Sequence, residues 1–151
     1  MTPLALALHA LSAVVWVGGM FFAYVILRPA VGPLPPIDRL PLWRRTFTNF
    51  FPWVIAAVAL LLITGYLVLF YQFGGFAGAG MHVHVMQLTG WIMFLLFGHL
   101  YFVPWKRYQR ALDAGDTGAA ATQLSSIRKI VMINMILGLV TVAVGSSGRY
   151  W

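Results

Sequence analysis

Apolar residues fill four long stretches of this chain, and few polar positions interrupt any of them. The stretches cover roughly residues 4–27, 50–73, 83–103 and 130–147. Each is close to the roughly 20 residues that an α-helix needs to cross the hydrocarbon core of a bilayer. The pattern therefore predicts an all-α fold, an integral membrane four-helix bundle that forms a single domain over residues 1–151.

Turn and capping residues predict where these helices begin and end. Asn49 is the expected N-cap of the second helix, because its side chain can accept a hydrogen bond from the first turn. The run GGFAGAG at residues 74–80 cannot continue a helix comfortably, so it predicts a short turn between the second and third helices. Asp116 or Thr117 is expected to cap a fourth helix that begins before its membrane-spanning part.

The basic residues indicate how the bundle is oriented. The chain has ten lysines and arginines, three acidic residues and a formal net charge of +7. All the cations except Arg149 lie in or beside the first and third connections. The positive-inside rule then predicts that these connections face the cytoplasm of a bacterial inner (plasma) membrane, with the N- and C-termini on the periplasmic side. The positive charge therefore reports the orientation of the helices in the membrane. The expected partner is the lipid bilayer, and no nucleic-acid partner is expected.

The composition excludes several kinds of chemistry. The chain is 61% hydrophobic and 9% charged, and it has no cysteine. Cysteine-ligated iron–sulfur clusters, disulfides, thiol nucleophiles and covalently attached haem are therefore excluded. All three acidic residues fall in the predicted cytoplasmic connections, so the bundle has no carboxylate pair for a di-iron site or for acid–base catalysis. Histidine and methionine are the remaining candidates.

Three of the four histidines, His9, His82 and His84, are predicted near the outer edge of the bundle. At about 100° per residue, His82 shares a face of the third helix with Met86, whereas His84 points to nearly the opposite face. His99 is about 22 Å from His84 along the axis of the third helix, so the two cannot share a metal ion. Such polar groups are costly in lipid unless a partner or an ion compensates them, so this outer edge is the expected functional site.

Three segments carry a resemblance to a known family. HALSAVVWVGG, HVMQLTGWIMFLLFGHLYF and IRKIVMINMILGLVTVAVGSSGRY resemble the membrane domain of the CopD family, named for copper resistance. The discriminating positions are His9, Trp16, Gly19, His84, Met86, His99 and Arg149. The resemblance implies copper binding or passage across the membrane.

A more remote similarity links the chain to HemJ-type membrane proteins, which bind haem b. It rests on a histidine followed by W-x-G in the first helix of a four-helix protein. Those proteins usually carry a lysine soon after the histidine that opens the third helix, and here that region reads HVHVMQ. Protoporphyrinogen oxidation is accordingly not expected.

The leading functional hypothesis is a membrane b-type cytochrome-like protein that transfers electrons. Haem b would lie between His9 and His84 in the outer half of the bundle, because neutral imidazoles suit iron and facing helices can supply axial ligands. Arg149 would pair with the haem propionates. The candidate cofactor-binding residues are His9, His84, His99, Trp16 and Arg149. Catalytic turnover as a membrane oxidoreductase, a redox partner or quinone, and a homodimer are left open.

Two alternatives remain. The first is copper binding or transport, because thioether sulfur selects Cu(I) and imidazole accepts either copper state. Its candidate ligands are His9, His84, His82 and Met86. The second alternative is a structural subunit of a respiratory membrane complex, which would need neither cofactor.

Overall fold

A computed structural model describes residues 2–151, which form four long helices and one short one. Helix α1 spans Thr2–Val31, α2 Pro36–Gln72, α3 Met81–Phe102, α4 Pro104–Asp113 and α5 Thr117–Ser147, with single 3₁₀ turns at Phe76–Gly78 and Gly148–Tyr150. The chain is 91% helical, and residues 2–151 contain no strand. Four helical segments, with α3 and α4 counted as one, are long and apolar enough to cross a membrane. The predicted all-α membrane architecture is confirmed, and the chain is a multi-pass membrane protein.

Helix α1 continues through a proline because its hydrogen-bonding pattern changes just before it. The segment Thr2–Phe21 is regular α-helix, Phe22–Leu27 is π-helix, and Arg28–Val31 is again α-helix. Pro29 has no amide hydrogen, and its ring would clash with the carbonyl four residues earlier in a regular helix. A wider π turn at this point accommodates the ring. The helix therefore reaches beyond the predicted apolar stretch.

Helix α2 begins at Pro36, so the prediction that Asn49 caps it was wrong. The turns of α2 that precede Asn49 begin a stripe of apolar side chains, which recur at intervals of three or four residues and are buried. The stripe consists of Leu40, Trp43, Phe47 and Phe51. Packing of this stripe stabilises the helix through Pro41 and Pro52, although prolines are unfavourable inside a helix.

The other boundary predictions are confirmed. Gly74 and Gly75 have φ values of +68° and +100°, a region that favours glycine, and they turn the chain between α2 and α3. Asp116 caps α5, because its Oδ1 accepts a hydrogen bond from the amide of Ala119 at 3.0 Å. The cap turns the chain from α4 into the last long helix.

Neighbouring long helices are antiparallel, which gives the bundle two distinct ends. His9 of α1 faces Gly65 of α2, whereas Gly19 of α1 faces Phe50 of α2. We call the end that carries both chain termini and the glycine turn the terminal end. The opposite end, which carries the α1–α2 connection, α4 and the start of α5, is the basic end.

Interlocked aromatic rings fill the basic end. The rings are Trp43, Phe47, Phe51, Phe97, Trp105 and Tyr108, and the centroids of contacting pairs lie 5.0–6.0 Å apart. Tyr108 is fully buried, and its hydroxyl donates to the carbonyl of Leu40. This contact joins the short helix α4 to the start of α2, so the basic end is a continuous packed core.

Candidate functional site

A cavity of about 480 Å³ lies at the terminal end, between α1, α2, α3 and α5. Most of its wall is apolar. The polar side chains in the wall are His9, Tyr66, His82, Gln87, Thr141 and Ser146. A largely apolar pocket with a few convergent polar groups is typical of a ligand-binding site.

The ring of His9 is held in one orientation by a hydrogen bond across two helices. Its Nδ1 lies 2.9 Å from Oγ1 of Thr64, whose hydroxyl donates to the carbonyl of Leu60. Since a hydroxyl has only one hydrogen to donate, the Nδ1–H of His9 must be the donor to Thr64. The other ring nitrogen, Nε2, therefore keeps its lone pair. Histidines that bind metals are commonly held in this way through the nitrogen that does not ligate.

Helix α3 presents two further donor side chains to the cavity. His82 and Met86 both line it, as does Met93 two turns further along the same face. His84 does not line the cavity and is exposed. The predicted division of α3 into a His82–Met86 face and a separate His84 face is confirmed.

Glycines leave the space that these donor side chains occupy. A Cβ at Gly65 would lie 3.2 Å from Cε1 of His9, and one at Gly145 would lie 3.0 Å from Sδ of Met86. A Cβ at Gly148 would collide with the Cβ of His82. These glycine positions were not predicted from the sequence. The available signal was the presence of glycine within or at the end of otherwise apolar helices, where it usually permits close approach of a neighbour.

Trp16, which follows His9 on α1 toward the basic end, forms part of the cavity wall. Its ring is 2% exposed and stacks on Phe94 of α3, with centroids 5.7 Å apart and planes 9° apart. Both rings line the cavity. The wall next to the donors is thus flat and aromatic.

The other predicted site residues lie away from the cavity. His99 is exposed near the basic end of α3. Arg149 is exposed in the last 3₁₀ turn, where its guanidinium stacks over the ring of Tyr150 at 5.2 Å. Neither residue lines the cavity, and neither does His84. Of the predicted residues, the structure brings together His9, Trp16, His82 and Met86.

The side chains at the cavity that could bind a metal ion include the imidazoles of His9 and His82 and the thioether of Met86. Residues 2–151 contain no group of three or more histidine, cysteine, aspartate or glutamate side chains placed to hold a metal ion. A metal bound here would therefore depend on imidazole and thioether donors, without a carboxylate. That donor set favours Cu(I) over hard cations such as Mg²⁺ and Ca²⁺.

Comparison with known protein families gives a match over most of the chain. The family model described as Copper resistance protein D matches residues 44–147, a segment that includes α3, α4, α5 and most of α2. Helix α1, which carries His9, precedes this segment. No curated protein and no solved structure matches the chain. Because the matched segment covers more than half of the chain, the chain belongs to the CopD family.

Proposed function

We propose that this CopD-family protein binds copper in the cavity at the terminal end and takes part in moving it across the membrane. The observation that carries the proposal is the His9–Thr64 hydrogen bond. It fixes the proton on Nδ1 and leaves Nε2 as a donor in a cavity that His82 and Met86 also line. Two imidazoles and a thioether suit Cu(I).

The absence of a carboxylate from the cavity wall favours transient binding. A Cu(I) ion held by neutral imidazole and thioether donors keeps its full positive charge in a region of low dielectric. Such a complex is less stable than one with an anionic ligand, so the ion can leave again. This suits copper as a transported substrate better than copper as a permanently bound cofactor.

The basic residues at the basic end predict the direction in which copper would enter the protein. Nine of the ten lysines and arginines lie at or near that end. By the positive-inside rule the basic end lies in the cytoplasm of a bacterial inner membrane, and the cavity then opens toward the periplasm. Copper would enter the cavity from the periplasmic side.

Competition for Cu(I) between the purified protein and a chromophoric chelator tests the copper site. His9→Ala is expected to weaken Cu(I) binding most, because it removes the oriented Nε2, and His82→Ala and Met86→Leu are each expected to weaken it as well. His84→Ala is the matched control, since His84 lies on the same helix outside the cavity. Equal weakening by His84→Ala, or unchanged binding in His9→Ala, would contradict the proposal.

A second candidate ligand is haem b, and the observation that favours it is the size of the cavity. About 480 Å³ is far more than a metal ion needs and falls within the range of organic-ligand pockets. Bound haem would supply one-electron transfer. His9 would bind the haem iron through Nε2, and the flat wall of Trp16 and Phe94 suits a planar ring. His84, the predicted second ligand, lies outside the cavity, whereas His82 lines it.

Optical spectra separate the two candidates. Protein produced under haem-replete conditions and then reduced with dithionite would show a sharp α-band and stoichiometric haem if the cavity holds haem b. That spectrum should change in His9→Ala and persist in His84→Ala. A colourless protein that binds Cu(I) with the same dependence on His9 would exclude haem. A protein that binds neither ligand would fit the structural-subunit hypothesis instead.

A further inference from the structure

One side of the bundle is closed by side chains rather than by packed backbone. Helix α1 packs along α2, and α3 packs along α5, whereas the backbones of α2 and α3 make little close contact. Near the basic end this side is closed by Phe51 of α2, whose ring centroid lies 5.7 Å from that of Phe97 of α3. Beside the cavity, Nε1 of Trp91 donates to the hydroxyl of Tyr66 at 3.2 Å. We call the space that Tyr66 and Trp91 bridge the α2–α3 gap.

The two bridging residues belong both to the cavity wall and to the outer surface. Tyr66 and Trp91 line the cavity, and Trp91 is 44% exposed. Both lie in helices that are long and apolar enough to cross a membrane, so the exposed surface of Trp91 faces lipid. Next to Trp91, Gly90 also lines the cavity, and a Cβ there would meet nothing within 4 Å. Displacement of the two bridging side chains would therefore connect the cavity with the bilayer.

Exposed aromatic rings pack beside Tyr66. Phe70 of α2 and Phe76 of the following turn are 56% and 49% exposed. Their ring centroids lie 6.4 and 6.5 Å from that of Tyr66 and 6.1 Å from each other. Tyr66 therefore joins the cavity to an aromatic surface that lipid-soluble molecules can reach.

The volume and the wall of the cavity indicate which kind of molecule this route would admit. A copper ion on the imidazole and thioether donors would fill only a small part of about 480 Å³. Most of the wall is apolar, and Trp16 stacked on Phe94 gives it a flat aromatic part. The amide of Gln87 also lines the cavity and can donate a hydrogen bond to a carbonyl oxygen. A quinone combines a flat ring with two carbonyl oxygens and, in membranes, an apolar tail.

We propose that a lipid-soluble quinone enters the cavity sideways from the bilayer through the α2–α3 gap, which the Tyr66–Trp91 hydrogen bond closes. The quinone ring lies in the cavity, and its tail extends through the gap into lipid. A cavity of this size is within the range of organic-ligand pockets. The quinone is a ligand additional to copper, and the proposal does not rest on the copper site.

Quenching of tryptophan fluorescence in metal-free protein in lipid nanodiscs tests the ligand. Decylubiquinone should quench the fluorescence saturably, because Trp16 and Trp91 line the cavity, and excess decylbenzene should not reverse the quenching. Gly90→Leu places a side chain in the open space and should weaken decylubiquinone binding by about tenfold or more. Gly98→Leu is the matched control. Gly98 lies on the same helix and also has nothing within 4 Å of a Cβ, but it does not line the cavity.

The rate of quenching after rapid mixing tests the route. Tyr66→Phe keeps the ring but removes the hydroxyl that accepts from Trp91. Decylubiquinone should then enter about fivefold faster, which corresponds to one interhelical hydrogen bond of about 1 kcal/mol. Tyr71→Phe is the matched control and should leave the rate unchanged, because Tyr71 is 82% exposed on the same helix and does not line the cavity.

Several results would overturn the proposal. Unchanged decylubiquinone binding in Gly90→Leu would show that the quinone does not occupy the cavity, and reversal of the quenching by decylbenzene would show that any apolar chain binds there. An entry rate that Tyr66→Phe leaves unchanged, or that Tyr71→Phe raises equally, would exclude the α2–α3 gap as the route. Because every sample is free of metal, none of these results depends on copper binding.

Discussion

The two ends of the bundle are built in opposite ways from the same four long helices. At the basic end, Phe51 contacts several other aromatic rings, Tyr108 is fully buried, and a pocket beside Trp43 measures only about 10 Å³. At the terminal end the helices enclose about 480 Å³, and glycines such as Gly145 face the donor side chains. One end holds the helices together, and the other leaves room for a ligand.

This difference follows from the physics of helix association in lipid. Apolar surface gains little by leaving lipid for a protein core, so packing contacts and interhelical hydrogen bonds stabilise the bundle. Interlocked rings supply dense packing at the basic end. Around the cavity, two interhelical hydrogen bonds fix the spacing of the helices. One runs from Asn134 Nδ2 to the carbonyl of Met93, and the other joins His9 and Thr64. The packed end therefore allows the other end to stay open.

The largest expected effect comes from opening the packed end. Phe51→Ala should lower the free energy of unfolding by about 3–5 kcal/mol, because it removes a buried ring and leaves a cavity. Phe70→Ala is the control, since Phe70 is 56% exposed and lies toward the terminal end of the same helix. Reversible unfolding in detergent measures both values. Similar losses in the two variants would show that the ends do not differ in packing.

The next prediction tests whether the terminal end is also tightly packed beside the cavity, where Gly148 meets the cavity residue His82. Gly148→Ala should cost about 1–3 kcal/mol of unfolding free energy, because the new methyl group would meet the Cβ of His82 and force the backbones apart. Gly90→Ala is the control. Gly90 lines the cavity, but a Cβ there meets nothing within 4 Å, so this variant should be unchanged or slightly more stable.

The third prediction concerns the hydrogen bond that orients His9. Thr64→Val should weaken Cu(I) binding about 10- to 100-fold, the usual cost of losing a group that holds a metal ligand in place. Thr64→Ser keeps the hydroxyl and should retain most of the affinity. Chelator competition measures the binding, and thermal unfolding checks that both variants remain folded. If Thr64→Val bound Cu(I) as tightly as the unchanged protein, the orientation of His9 by Thr64 would have no functional role.

The fold could be predicted where a local signal was strong. The four apolar stretches located the long helices, and Asp116 marked the start of α5 because a cap depends on neighbouring residues only. The start of α2 was missed because Asn49 looked like a cap. The buried stripe that includes Trp43 and Phe47 outweighs this local signal, and its stabilising effect depends on α4 and α5, which are distant in the sequence.

The site could be predicted only in part, for a similar reason. Helical periodicity assigned His82 and Met86 to one face of α3 and His84 to another, and the structure has that division. Periodicity gives the faces of one helix but not which neighbour each face meets. The hydrogen bond from His9 to Thr64 joins residues 55 positions apart, and the cavity depends on four helices at once. Those features required the packed structure.

The smallest expected effect comes from the ion pair on the surface of the basic end. Arg44 and Asp113 are 2.8 Å apart, but their side chains are 35% and 65% exposed, so water and salt screen the interaction. Asp113→Asn should therefore change the unfolding free energy by less than about 1 kcal/mol, and added salt should reduce even that difference. A loss as large as that of Phe51→Ala would mean that charge, rather than ring packing, holds the basic end together. A small loss would indicate that the buried rings stabilise the basic end. Such packing is needed if the terminal end is to stay open.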